Sequence, residues 1–334
     1  MSMMKLIPSI SFVVILLFTA SISFAHVPQT GDGNESLESA TMVEDPTKSW
    51  VIYSELREGA EANYYKMEME RGDRLRLSLL IPEETNFVPD LIVMGPGIES
   101  NESLPHGIEK PENVGHKVIK GELGEKEYEP FTPAAYYYPA EYEEDINRSG
   151  TYYAVIYGGH ESGEYGLAIG SEERYGLVEW VRVPVDVINI HIWEGQPIWL
   201  IFAPMISVLG IGFADVLRRR YRDGRGPNDI KEWGLLTASL LYIGSGAMLF
   251  MQIGIATAES PSPAIIVSVF FASLPILFGW LLWRRSSDFK NPDRNSRVKM
   301  IFYGILGLFV WAGLIIGPII AIVSALLPKF SKTK

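Results

Sequence analysis

The sequence predicts an all-β, jelly-roll-like sandwich outside the membrane, followed by an all-α module of four transmembrane helices. Three observations predict it. Charge divides along the chain: residues 26–196 hold 33 Asp and Glu against 13 Lys and Arg, a balance of −20, while the remainder holds 7 acids and 16 bases. Short runs between residues 48 and 170 have the length and alternation of strands. Four apolar stretches, about 197–217, 234–256, 264–283 and 300–327, are each long enough to cross about 30 Å of hydrocarbon. A chain of 334 residues that is 47% apolar and 21% charged reconciles those properties by such a division.

The elements follow in order. Met1 to Lys5 is a weakly positive start, Ile10 to Phe18 an apolar core, and Ser23 and Ala25 the small residues a signal peptidase needs, so residues 1–25 read as a cleaved signal peptide. An uncleaved anchor over Leu6 to Ala25 is the alternative. Either reading places residues 26–182 outside. There the strand candidates are "KSWVIYSEL" (48–56), "NYYKMEME" (63–70), "DRLRLSLLI" (73–81), "DLIVMG" (90–95), "GTYYAVIYG" (150–158) and "EYGLAIG" (164–170). Leu75, Leu77 and Leu79 share one face of their run and Arg74, Arg76 and Ser78 the other, as in a half-buried antiparallel strand. Residues 96–147 read as a long insert ending in "EKEYEPFTPAAYYYPAEYEED", either an acidic aromatic surface for a cation, sugar or protein, or a solvated loop.

These runs carry a resemblance. Tyr64, Gly72, Asp73, Leu75, Leu77, Asp90, Leu91, Gly150, Tyr152, Gly163, Tyr165 and Leu167 follow the order of a Tyr-led strand, a Gly-Asp turn, a Leu-rich strand, an Asp-Leu strand and two Gly-x-Tyr strands. Residues 45 to 170 in this way resemble the bacterial pre-peptidase C-terminal domain. The resemblance implies a small jelly-roll-like sandwich that serves folding, adhesion or substrate contact without catalysis.

The juxtamembrane segment 183–196, within which "PVDVINIHIWEGQP" (184–197) begins and which holds His191 and Glu194, is either an interfacial helix or the start of the first span. Basic residues crowd two connectors: Arg218 to Lys231 between the first and second spans, and Arg284 to Lys299 between the third and fourth. "TAESPS" (257–262) carries no positive charge, so the basic connectors face the cytoplasm and the acidic domain faces out. The expected localisation is a multi-pass cell-membrane protein with its large N-terminal domain extracytoplasmic. One feature is discordant: with four spans, the three lysines of the tail at 328–334 end up outside. Trp193, Trp199, Trp233, Trp280 and Trp283 fall near span ends, and Gly313 with Gly317 in "GLIIG" form a small-residue face for helix packing or oligomerisation. The spans hold almost no ionisable group, and Tyr242 and Gln252 are among their few sizeable polar side chains, which argues against a proton-coupled transporter.

Absence of cysteine excludes disulfides, thiolate metal sites and cysteine nucleophiles. No G-x-S-x-G, H-E-x-x-H, P-loop or dinucleotide fingerprint is present. Asn34, Asn101 and Asn147 begin N-x-[ST] acceptors for glycosylation. Cleavage after Ala25 would leave His26 as an N-terminal histidine able to chelate Cu(II) through its amine and ring, with His160 as second imidazole, an arrangement similar to the histidine brace of exported copper-handling proteins. The leading expectation is nevertheless a non-enzymatic membrane protein, without cofactor, whose sandwich binds a surface protein or glycan and no nucleic acid. The alternatives are a copper-handling protein and a small-solute channel or transporter.

Overall fold

The computed structural model describes residues 27–30, 33–83, 85–100, 102–174, 176–224, 226–286 and 294–327. The signal peptide expected over 1–25, His26, Asn101 and the tail from 328 lie outside the described residues. A β domain comes first, with strands β1 (Val27–Thr30), β2 (Thr41–Val43), β3 (Trp50–Leu56), β4 (Ala62–Met69), β5 (Arg74–Leu80), β6 (Asp90–Gly95), β7 (Gly115–Ile119), β8 (Glu127–Glu129), β9 (Ala134–Tyr136), β10 (Glu141–Asp145), β11 (Gly150–Tyr157) and β12 (Gly163–Ile169). Two five-stranded sheets, ordered β1-β3-β12-β5-β10 and β2-β4-β11-β6-β7, pack their inner faces together, and β8 and β9 form a separate ribbon.

The alternation read from the sequence is what fills the sandwich. Leu75 and Leu77 of β5 are buried between exposed Arg74 and Arg76, and they meet Met67, Leu91 and Ile156 of the facing sheet in one cluster. Polar groups inside this core are paired. The hydroxyls of Tyr65 on β4 and Tyr165 on β12 lie 2.6 Å apart across the two sheets, and the Asn63 amide donates to Tyr165 at 2.7 Å. Such a satisfied network fixes how one sheet sits on the other. Gly95 lets the Tyr152 ring lie against the backbone, since a Cβ there would fall 2.1 Å from it.

Residues 96–147 are not an insert outside the sandwich. They supply β7, which pairs with β6, and β10, which pairs with β5, so both sheets have an edge strand from this segment. The edge strand "EYEED" buries only Tyr142, which leaves no apolar alternation to detect.

The helical part comprises α1 (Leu177–Trp193), α2 (Ile198–Asp223), α3 (Ile230–Glu259), α4 (Ile265–Ser286), α5 (Arg294–Phe309), a 3-10 turn (Ala312–Ile315) and α6 (Ile316–Leu326). α1 is a separate helix: left-handed Gly195 (φ +84°) and Pro197 end it before α2 begins. Lys48 bonds Glu179 at 2.6 Å near its start, and Trp193 Nε1 donates to Ser54 O at 3.2 Å at its end. Glu179 to Trp193 spans about 21 Å of helix, and Lys48 to Ser54 about 20 Å of extended chain. The two segments therefore run alongside one another. Val178, Val181, Val185 and Ile192 remain exposed along α1 and form one apolar face of the helix.

α2, α3 and α4 are each long and apolar enough to cross a membrane. The fourth expected span is corrected: α5 and α6 meet at a bend of 118°. At 16 and 11 residues they reach only about 24 and 17 Å, so neither crosses alone. They form a hairpin. Gly307 and Gly317 both lie against Tyr242 halfway along α3, whereas Gly304 faces Ile322 and Gly234, near the start of α3, faces Ser324 near the end of α6. The chain thus enters from the end of the bundle that carries the basic connectors, reverses at mid-bundle and returns. Trp311, Gly313, Leu314 and Ile315 all have positive φ at the reversal. Unwound backbone at that depth needs protein partners: Gly313 N–H donates to Ser245 Oγ at 2.8 Å, and the Trp311 indole donates to Trp180 O at 2.8 Å. That carbonyl is free because Pro184, four residues on in α1, has no N–H to give it.

Gly313 and Gly317 are consequently not an external face for a second copy: both are buried, packed on Leu241 and Tyr242 of their own chain. α6 ends at Leu326, and Ser324 near that end packs on Gly234, just after the first basic connector. In this cysteine-free chain, Ser331→Cys is expected to react with an impermeant maleimide from the same membrane side as Tyr221→Cys in the first basic connector; labelling from opposite sides would restore the four-span topology.

Candidate functional site

The β domain and helices meet along a seam built by the ribbon and α1. The Tyr128 hydroxyl donates to Ser268 Oγ on α4 at 2.8 Å, and that serine donates to Pro130 O at 2.7 Å. Ser260 Oγ donates to Lys126 O at 2.7 Å, and Lys126 also pairs with Glu259. Phe131 at the ribbon tip reaches Phe271, their rings 6.4 Å apart. The Glu- and Tyr-rich segment is thus not a solvated loop: Tyr128, Tyr136 and Tyr142 are buried, while Glu125, Glu127, Glu141, Glu143 and Glu144 stay exposed. Burial pushes the phenols of Tyr136 and Tyr138 above their ordinary range.

Beneath the ribbon lies a cavity of about 140 Å³. Its walls come from α1 (Val183, Val187), α2 (Ile201), α3 (Met248, Leu249), α4 (Phe271, Pro275) and the hairpin reversal (Leu314), with Pro130 and Phe131 above. The lining is almost wholly apolar, and the volume is similar to that of an engineered apolar cavity of about 150 Å³ that takes up benzene.

Polar groups converge at one end. His191, a lining residue, is 2% exposed; its Nδ1 lies 2.7 Å from Glu194 Oε2, and its Nε2 is buried with no hydrogen-bond partner among the described residues. Glu194 also accepts from the Tyr136 hydroxyl and, at 3.3 Å, from Gln196 Nε2. Gln196 and Gln252 exchange two amide bonds of 2.9 and 2.8 Å. A carboxylate only accepts, so Nδ1 carries the proton towards Glu194, and in the neutral ring Nε2 is a lone-pair acceptor. The two serines in the wall are committed. Ser245 donates to Tyr242 O and accepts from Gly313, while Ser268 serves Pro130 and Tyr128.

Among the residues singled out from the sequence, His160 is exposed on the β11–β12 turn, and no group of three or more metal-ligating side chains occurs among the described residues. The proposed partner His26 lies outside them. Asn34 is withdrawn as a glycan acceptor: it is 1% exposed and its amide donates to Tyr64 O at 2.9 Å, whereas Asn147 is exposed. Gln252 and Tyr242, the polar groups a solute path would use, are paired with Gln196 and with Tyr303 O. His191 and Glu194 were visible only as polar letters in an apolar run; their spacing of three on a helix was the available signal.

No family model matches the chain, and no curated protein matches it.

The ribbon also carries a pH-sensitive group. Burial raises the Glu129 carboxyl from an ordinary 4.5 to about 7, although it accepts from Phe131 N–H at 3.0 Å. Between those values the folded chain keeps a proton that the unfolded chain has released, so stability is fullest below about 4.5 and is lost as pH rises through about 7. Glu129→Gln is therefore expected to raise the melting temperature of detergent-solubilised protein at pH 8 more than at pH 5. An equal change at both values would place that carboxyl in water.

Proposed function

We propose that this chain is a non-enzymatic, multi-pass membrane protein that binds an apolar, membrane-derived ligand in the seam between an extracytoplasmic β-sandwich and its helices. The cavity carries the reading: it is lined by hydrocarbon on five elements and roofed by a segment of the sandwich. Binding is favoured over turnover because both wall serines are spent on structural hydrogen bonds, leaving no hydroxyl in the described lining to act as a nucleophile.

Two observations support the orientation. The basic connectors lie at the end of the bundle remote from the sandwich, and the hairpin returns the end of α6 to that same end, with Ser324 against Gly234. The resemblance to the pre-peptidase C-terminal domain supports a non-catalytic sandwich, and its matching positions serve structure. Leu75, Leu77, Tyr152, Tyr165 and Leu167 are core residues, and Asp73 accepts from Glu70 N–H in the β4–β5 turn.

A photoactivatable dodecane chain supplied in vesicles tests the reading. Crosslinks are expected on α1 and α3 peptides containing Val187 and Leu249, and Val187→Trp, which fills the cavity, is expected to reduce them about tenfold. Labelling confined to lipid-facing positions such as Ile206 and Ile211, and unchanged in the variant, would overturn it.

A further inference from the structure

We infer that the ligand of this cavity bears a hydroxyl group, and that His191 Nε2 accepts its proton in a hydrogen bond; this rests on the seam cavity being a binding site. Among the described lining residues, one buried polar side-chain atom lacks a partner, His191 Nε2. His191 is held on both sides: Nδ1 by Glu194, and the ring by its place on α1 between the sandwich and α3. Nε2 is buried in an otherwise apolar lining and finds no donor among the described residues. A buried acceptor left unpaired is costly, so a ligand that supplies an O–H gains more there than from the same bond in water.

The neighbouring charges select among hydroxyl-bearing groups. Glu194 is an anion within 2.7 Å of the other imidazole nitrogen, held by the Tyr136 hydroxyl and the Gln196 amide. A ligand carboxylate placed at Nε2 would face that negative charge in an apolar setting and would itself be desolvated. An ether or ester oxygen brings no proton and would confront the Nε2 lone pair. A neutral alcohol satisfies the atom without charge, while its hydrocarbon chain occupies the space between Val187, Ile201, Met248, Leu249 and Phe271. The class assigned is a long-chain alcohol or a lipid presenting a free hydroxyl beside a chain. No covalent step is implied.

Equilibrium competition against the photoactivatable dodecane probe, on the full-length protein in vesicles, tests this with dodecanol, dodecyl methyl ether and dodecanoate at pH 8. Dodecanol is expected to displace the probe about tenfold more effectively than the ether, and dodecanoate least of the three. His191→Phe, which keeps ring volume and loses the acceptor, is expected to equalise alcohol and ether. A second readout needs no variant: the ¹⁵N resonance of Nε2 is expected to shift upfield with dodecanol and to stay in place with the ether. Equal displacement by alcohol and ether in the wild type, with no movement of Nε2, would overturn the hydroxyl assignment while leaving the apolar site intact. Failure of all three to displace the probe would instead remove the site itself.

Discussion

One nearly buried carboxylate ties this architecture together. Glu194 sits in the turn after α1 and takes hydrogen bonds from Tyr136 of the ribbon, His191 of α1 and Gln196, which in turn is locked to Gln252 of α3. An ionised group in such surroundings is tolerable only while its donors remain in place, because removing one leaves a charge without water or partner. The sandwich, α1 and the bundle therefore cannot slide past one another without breaking that set. The remaining seam contacts, Tyr128 to Ser268 and Lys126 to Glu259, are consistent with one fixed docking rather than a tether.

A second constraint shapes the space beneath. Membranes admit irregular backbone only where protein encloses it, and the reversal between α5 and α6 is enclosed by Ser245 on one side and by Trp180 on the other. The Trp180 and Trp311 rings lie tilted with their centroids 5.5 Å apart, with Phe309 beside them, so the broken span packs on α1. Pro184 has a use in this arrangement: by withholding an N–H it frees the carbonyl that the Trp311 indole needs.

How much of this was legible in the sequence depended on whether a signal is local. Leu75, Leu77 and Leu79 announced a half-buried strand because alternation is a property of neighbours, and the basic connectors announced topology because charge needs no folding to be counted. The edge strands β7 and β10 escaped, since only one face of an edge is covered and "EYEED" offers a single buried tyrosine. The hairpin escaped for a related reason. Residues 300–327 are largely apolar, and hydropathy does not register the positive φ of Trp311, Gly313, Leu314 and Ile315. His191 and Glu194 were in view, but their importance lies in Tyr136 and Gln252, 55 residues before His191 and 61 after it, which only folding brings together.

The cavity follows from the broken span. Because α5 and α6 together fill only the half of the bundle beside the basic connectors, the other half lacks a helix where a full fourth span would have stood. α1 and the ribbon tip occupy that space from the side of the sandwich, but Pro130, Phe131 and Pro133 at the tip have neither the length nor the regular packing of a helix. Close packing is hard to reach between a proline-rich turn, a proline-bearing helix and an unwound reversal, each of fixed backbone shape. A space of about 140 Å³ remains at their junction. Its polar end is the same Glu194 cluster that orients the two domains, so the groups that hold the sandwich in place also fix the His191 ring in the lining of that gap.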